Sequence, residues 1–273
     1  MGNTVTISVI IPVYNAENTI TAALNSINRQ TEGKFEIIVV NDGSTDDSLE
    51  AIYTFKKTNL HLNIIVIDKP HEGVSATRNI GLRLASGNYI AFLDADDEWH
   101  PEKTIKQLTI LKETPEADLV GCHFKPLDVR SVLNSLSHIT SRDMLFKNFF
   151  QTSTVLMKRK VFDAVGFFER SFSYGEERNY FLRASKTFSC VLINENLINY
   201  GNGKRGFGQS GLSGNLIQME IGELKNLVYA YRVLDLPFFA CCNAIIYSLA
   251  KFMRRIYIVY VTDKFKPSVS EKK

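Results

Sequence analysis

The sequence predicts an α/β protein built on a mostly parallel central sheet covered by helices, with a helical extension at its C-terminal end. Two observations carry this. Short apolar, β-branched runs alternate with helical patterns through the first half of the chain, and those runs are near-continuously apolar, as strands buried on both faces are. Strand, helix, strand in repeated order then calls for crossover connections with helices on the sheet faces.

Strands are expected at 7–13, 35–40, 62–67, 89–93 and 119–124. Helices are expected between them near 17–30, 46–57, 74–86 and 101–113, the last with Pro101 as its first residue and the second capped by Ser44 or Thr45. Beyond residue 125 the alternation weakens to a helical stretch at 141–149, an apolar run at 154–157 and a helix at 176–187. No Pro/Gly/Ser linker separates the two halves, so residues 1–215 read as one domain with two lobes, about 1–100 and about 101–215. From 216 onward Leu216, Ile217, Ile221, Leu224, Leu227, Val228, Tyr231 and Leu234 recur at helical spacing, and 216–273 read as a separate helical extension.

Composition narrows the class. Hydrophobic content of 45% and charged content of 22% are globular values and indicate neither disorder nor a nucleic-acid-binding tail. Cys122, Cys190, Cys241 and Cys242 make no C-x-x-C pair and no ligand spacing, and no basic-then-apolar leader opens the chain, so a cytoplasmic, reduced, zinc-free protein is expected. Met1-Gly2-Asn3-Thr4-Val5-Thr6 fits the loose N-myristoylation pattern, but a strand starting at Ile7 leaves almost no tether. The formal charge of +3 is uneven: residues 251–273 hold seven Lys/Arg and two acids, which leaves the remainder at −2.

The apolar block 237–261 has the length of a membrane span but carries Lys251, Arg254 and Arg255, which are costly at mid-bilayer. Aromatic residues interleaved with Lys and Arg suit a helix lying on the inner face of an anionic membrane, and they equally suit a packed helix pair. Residues 200–214 contain two overlapping G-x-G-x-x-G patterns, from Gly201 and Gly206. They come too late in the chain for a dinucleotide fingerprint and share the span with Lys204 and Arg205, so a cationic lid is expected.

Ligands of such sheets bind beyond the carboxyl ends of the strands. Those ends read Pro12-Val13-Tyr14-Asn15, Asn41-Asp42-Gly43-Ser44, Asp68-Lys69-Pro70-His71 and Asp94-Ala95-Asp96. Two carboxylates one residue apart after a buried strand can converge on a divalent cation and the phosphates it carries. An EF-hand reading of the same segment fails, with Trp99 where Gly is needed and Ile105 where Glu is needed.

Four segments together resemble the family 2 glycosyltransferases of GT-A fold: residues 8–15 (SVIIPVYN), 36–46 (EIIVVNDGSTD), 73–79 (GVSATRN) and 93–97 (LDADD). The resemblance covers residue 7 to about 187 and is similar to enzymes of bacterial surface polysaccharide and lipopolysaccharide synthesis. It implies a nucleotide-sugar lobe over about 1–100 and an acceptor lobe over about 101–215. Pro12 and Tyr14 would form the nucleobase slot with Asn15 and Gly73 beside them, Asp42 would accept from the base, and Arg78 would offer its fork to the diphosphate. Asp94 would bind ribose and Asp96 would coordinate Mn²⁺ or Mg²⁺. A Glu-Asp pair in the family matches Glu176-Glu177 here, which leaves the general base open between the two. The implied activity is inverting transfer of one sugar, from a UDP-sugar, to a hydroxyl of a glycan or lipid-linked saccharide. Q-x-x-R-W, the motif of processive members, is absent. A polyprenyl-phosphate acceptor and a non-catalytic nucleotide-sugar-binding protein are the alternatives.

Overall fold

A computed structural model describes residues 6–124, 136–201 and 214–262. Residues 202–213 of the lid expected at 200–214, residues 1–5 of the myristoylation pattern and the basic residues beyond 262 lie outside them. The chain divides into two compact units, Met1–Gly203 and Lys204–Lys273.

In the first unit, β1 (Thr6–Val13), α1 (Ile20–Asn28), β2 (Lys34–Asp42), α2 (Ser48–Thr58), β3 (Asn63–Lys69), α3 (Val74–Leu84) and β4 (Tyr89–Phe92) form the expected alternation. They are followed by β5 (Glu98–Trp99), α4 (Lys103–Glu113), β6 (Leu119–His123), β7 (Leu136–Ile139), β8 (Leu156–Lys158), α5 (Arg159–Val165), α6 (Glu176–Thr187), β9 (Cys190–Asn196) and β10 (Ile198–Asn199). The second unit contains α7 (Leu216–Arg232) and α8 (Phe238–Tyr257).

Eight strands make one sheet in the order β3-β2-β1-β4-β8-β6-β9-β7. β3, β2, β1 and β4 run parallel, β8 is antiparallel to both β4 and β6, and β6 and β9 are again parallel. Residues Val9, Ile10 and Ile11 of β1 and Ile37 to Val40 of β2 have no exposed surface, as strands covered on both faces require. Val13 lies opposite Asn41 and Asn41 opposite Asp68, so three strand ends deliver their loops to one sheet edge. A main-chain bond from Leu93 N–H to Ile10 O (3.0 Å) extends the β1–β4 pairing to the residue before Asp94.

Three local expectations are corrected. The helix over 141–149 is only a 3₁₀ turn at Asp143–Leu145. Thr140 and Asp143 exchange the bonds of a capping box (Thr140 N–H to Asp143 Oδ2, 2.8 Å; Asp143 N–H to Thr140 Oγ1, 3.3 Å), so a turn starts, but it does not propagate and Phe150 is drawn fully into the core. Pro101 does not start α4: the chain first closes a turn from Lys103 N–H to His100 O (2.9 Å), and the helix begins at Lys103. Ser44 does not cap α2. Its hydroxyl accepts from Asn15 N–H (3.0 Å), tying the loop after β1 to the loop after β2.

Close packing sets α3 against the sheet. A Cβ at Gly81 would collide with Ile10 Cγ2 and stand 3.1 Å from Ile10 Cγ1. Gly81→Ala should therefore destabilise by about 1–3 kcal/mol, despite the better helix propensity of Ala. Chemical denaturation of the two proteins measures it, and a stabilised variant would show that α3 can move away from β1 without cost.

Candidate active site

The loops after β1, β2 and β3 meet at Asp42. Its carboxylate is buried: Oδ1 accepts from the Lys69 ammonium and from Glu72 N–H (2.9 Å), and Oδ2 from Gly73 N–H (2.9 Å). Burial alone would raise its pKa, but the Lys69 ammonium and the two amides outweigh it and hold the carboxyl below its usual range. Gly73 has φ 90°, a left-handed conformation that turns the 70–73 segment into α3. His71 Nδ1 stands 2.9 Å from Asp42 Oδ2, and its ring stacks on Tyr14 with centroids 4.3 Å apart. Tyr14 is half exposed, and Pro12 lies within β1 beside it. Asn15, at φ 49°, also binds the second loop, accepting from Thr45 N–H (2.8 Å).

After β4 come Asp94, Asp96 and Asp97. Asp94 is fixed from three sides: Oδ1 accepts from Arg78 Nη2 (2.7 Å), Oδ2 from Thr152 Oγ1 (2.8 Å), and its N–H donates to Ser153 Oγ (3.0 Å). Asp96 is exposed. Asp97 is buried, with Oδ1 accepting from Gly201 N–H (2.8 Å) and no partner on Oδ2 among the described residues. Burial and the neighbouring Asp94 charge push the Asp97 carboxyl up to about 7. The Tyr200 hydroxyl is raised by burial and by Glu177, Asp97, Asp94 and Asp96, so four carboxylates converge on one small region.

Arg78 lies beneath them and is buried. Its fork, expected from the sequence to face a diphosphate, here reaches two carboxylates: Nη1 donates to Glu176 Oε1 (2.9 Å) and Nη2 to Asp94, so one guanidinium bridges the β4 loop and α6. Burial acts to lower its pKa, but Asp94 and Glu176 outweigh this and raise it, keeping the group charged. Removing the charge strands two carboxylates, Glu176 buried and Asp94 partly so. Arg78→Met should cost about 3–5 kcal/mol, measured by urea unfolding. A loss under about 1 kcal/mol would mean the carboxylates find other partners.

α6 starts where Gly175 takes a left-handed turn (φ 72°), and two acids in its first turn suit the helix dipole. Its placement is firm. Arg178 donates to the carbonyls of Met144 and Leu145, Arg183 to those of Val165 and Phe167, and Tyr180 stacks on Phe168 (4.3 Å), which meets Phe92 of β4 edge-on. Asn79, next to Arg78, exchanges two hydrogen bonds with the Phe168 backbone (2.9 and 2.8 Å). The two adjacent acids differ sharply. Glu176 is buried on Arg78, whereas Glu177 is part-exposed and accepts from Asn148 Nδ2 (2.9 Å) and, with the amide turned to donate, from Gln151 (2.9 and 2.7 Å). Burial, the Glu176 charge and Asp94 raise the Glu177 carboxyl to about 8, against the pull of Arg78.

The segment 148–153 escaped sequence reading. Asn148 and Gln151 hold Glu177 while Thr152 and Ser153 hold Asp94, so one short stretch, ending in a 3₁₀ turn at Thr152–Thr154, spans both carboxylate groups. The only available signal was a polar run, Gln151-Thr152-Ser153-Thr154, directly ahead of an apolar one. Lys103 is a second omission. It is fully buried, 4.1 Å over the Trp99 ring, and burial lowers its pKa to about 8. Trp99 Nε1 in turn donates to Ser153 O (2.9 Å), so the pair supports the Asp94 contact from below.

A mostly parallel sheet with carboxylates gathered at its carboxyl edge and an acidic helix start near them is the α/β architecture of the GT-A fold. The family model for glycosyl transferase family 2 matches residues 8–173, and the chain belongs to that family. It is 30% identical over 214 residues to the amylovoran biosynthesis glycosyltransferase AmsB of Erwinia amylovora, covering 72% of this chain and 69% of that protein. It is 32% identical over 232 residues to glycosyltransferase GlyA of Streptococcus pneumoniae, covering 83% of this chain but only 30% of GlyA. Among solved structures, a mannosyltransferase of Pyrobaculum calidifontis in complex with GDP-Man and Mn²⁺ superimposes with TM-score 0.71 at 19% identity, over 96% of this chain and 74% of that one. S. aureus TarS residues 1–349 in complex with UDP-GlcNAc gives TM-score 0.62 at 21% identity, over 97% and 76%. These likenesses establish the fold. The chain is a glycosyltransferase.

Proposed function

We propose that the protein is an inverting, metal-dependent, non-processive hexosyltransferase. It moves one sugar from a nucleotide sugar, a UDP-sugar, to a hydroxyl of a glycan or lipid-linked saccharide in cell-surface polysaccharide synthesis, at the cytoplasmic face of the membrane. The observation that carries the reading is the split between Glu176 and Glu177: one carboxylate is locked on Arg78 and the other is raised to about 8 and part-exposed, opposite Asp94. Such a separation of neighbouring acids is how a site obtains a structural charge and a proton acceptor from the same residue type.

Residues up to about 100 form the donor lobe and 101–215 the acceptor lobe. Tyr14, half exposed and backed by His71, offers a ring for the nucleobase to stack on, with Pro12 and Asn15 at its margin. Asp42 and Gly73 shape the wall of that slot through the Lys69, Glu72 and Gly73 contacts. Asp94, held by Arg78 and Thr152, is oriented toward the ribose and diphosphate side.

The donor set suits a hard divalent cation that arrives with its own oxygens. Among the described residues no group of three or more His, Cys, Asp or Glu is arranged to hold a metal alone. Exposed Asp96 sits near Asp94, Asp97 and Glu177, with the orphan Asp97 Oδ2 among them. One carboxylate completed by phosphate oxygens and water is how Mg²⁺ and similar ions are bound. Asp96 would hold Mn²⁺ or Mg²⁺ there, and a bound ion supplies Lewis-acid stabilisation of the departing diphosphate.

Glu177 takes the proton of the acceptor hydroxyl as that oxygen bonds to the anomeric carbon. The carbon–oxygen bond to the diphosphate breaks on the opposite side and its electron pair leaves with the diphosphate, so an α-linked donor gives a β-linked product. An anionic polyprenyl-phosphate acceptor needs no such base, and the raised Glu177 therefore favours a hydroxyl. A donor-hydrolysis screen over nucleotide sugars, with and without Mn²⁺, tests the reading. Metal-stimulated hydrolysis of one UDP-sugar is expected, and silence toward every nucleotide sugar in Mn²⁺ would sink it.

A further inference from the structure

In the second unit, α8 carries two opposed faces. Cys241, Ala244 and Ser248 are buried, while Phe239, Ile246, Leu249, Met253 and Tyr257 form an exposed stripe at helical spacing along the other side, with Phe239 80% and Ile246 67% exposed. Single exposed apolar residues are ordinary in soluble proteins, but a contiguous stripe over a twenty-residue helix marks an interaction surface. Tyr231 of α7 continues it, its exposed ring 5.5 Å from that of Phe238.

Charge identifies the occupant. α8 contains Lys251, Arg254 and Arg255 and no acid. The acids of α7 turn inward: Glu220 accepts from Ser248 Oγ (2.8 Å) and Glu223 from Lys251 Nζ (3.3 Å). Arg254 is exposed, and the sequence beyond residue 262 adds four lysines against two acids. No helix is long and apolar enough to cross a membrane among the described residues. A second copy of this chain would bring the same acid-free basic helix to the stripe, whereas an anionic lipid leaflet complements both its apolar and its basic parts.

We infer that α8 lies along an anionic lipid surface, with the Phe239–Ile246–Met253 stripe at the boundary between headgroups and acyl chains and the exposed Arg254 at the lipid phosphates. This gives a specific surface to the membrane-face setting proposed above, while the test contains no nucleotide sugar, so its outcome is separate from that of the donor screen. The full chain is co-sedimented with phosphatidylcholine vesicles with and without phosphatidylglycerol, at low and high salt. Binding only to the anionic vesicles, weakened by salt, is expected. Arg254→Gln should weaken it about fivefold. Ile246→Ser/Met253→Ser should weaken it roughly a hundredfold, with circular dichroism checking the fold. The charge variant leaves the stripe intact and keeps the test decisive should the other unfold. Failure to bind anionic vesicles at low salt, or binding indifferent to both variants, overturns the inference. So does a concentration-dependent dimer in sedimentation velocity that Ile246→Ser/Met253→Ser abolishes, which would give the stripe to a second copy.

Discussion

Glu177→Gln should lose sugar transfer by roughly 10²–10⁴-fold in kcat while binding the UDP-sugar as the parent does. The amide keeps the shape and most of the contacts with Asn148 and Gln151 but cannot accept a proton. The parent kcat/KM should rise with pH toward a plateau above about 8, where the Glu177 carboxylate is ionised, and that limb should vanish in the variant. Stability supplies an independent reading. A carboxyl whose folded pKa is raised binds its proton more tightly folded than unfolded, so its stabilising effect is complete below the unfolded value and fades as pH rises through about 8. Glu177→Gln should therefore match the parent near pH 4 and exceed it in alkali, a gain in stability at the expense of activity. Transfer kinetics, isothermal titration with UDP and urea unfolding across pH check the three statements. Normal transfer by this variant beside a dead Glu176→Gln would move the base to the Arg78-bound residue.

The parallel half of the fold was legible because each strand centres on an apolar run and is followed by a distinctive polar cluster. Ile10 and Ile38 are buried regardless of register, so pattern alone suffices. The second half was harder for a physical reason. β8 is three residues long and inserts between β4 and β6 from far along the sequence, and no local period signals such an insertion. The site divides the same way. Asp42, Asp94 and Asp96 follow buried strands and can be found from their position in sequence. The occupation of Arg78 by Glu176 cannot, because it depends on α6 being anchored by Arg178, Arg183 and the Phe168–Tyr180 stack. The same dependence explains why sequence left the base open between Glu176 and Glu177: the two differ only in what surrounds them.

Asp96→Ala should abolish transfer and with it the metal-dependent part of UDP binding. The β4 loop presents Asp94, Asp96 and Asp97 together, and Glu177 acts on the same region, so above about pH 8, where Asp97 and Glu177 are ionised, a bare diphosphate entering there meets carboxylates of its own sign. Arg78 offsets only part of this charge, its single guanidinium being shared between Asp94 and Glu176. Affinity for UDP must then come from a cation, and among the exposed groups of this loop Asp96 is the carboxylate positioned to retain one. Titration of UDP into the parent should show affinity at least a hundredfold higher with Mn²⁺ than with chelator, a difference of about 2.7 kcal/mol. The variant should bind weakly and equally in both conditions. Because one carboxylate is removed, its metal-free affinity should if anything rise slightly, which separates loss of the cation from collapse of the slot around Tyr14 and Asp42. A variant that keeps the parent's Mn²⁺-dependent gain would take the metal away from Asp96 and leave Asp94 or Asp97 to hold it.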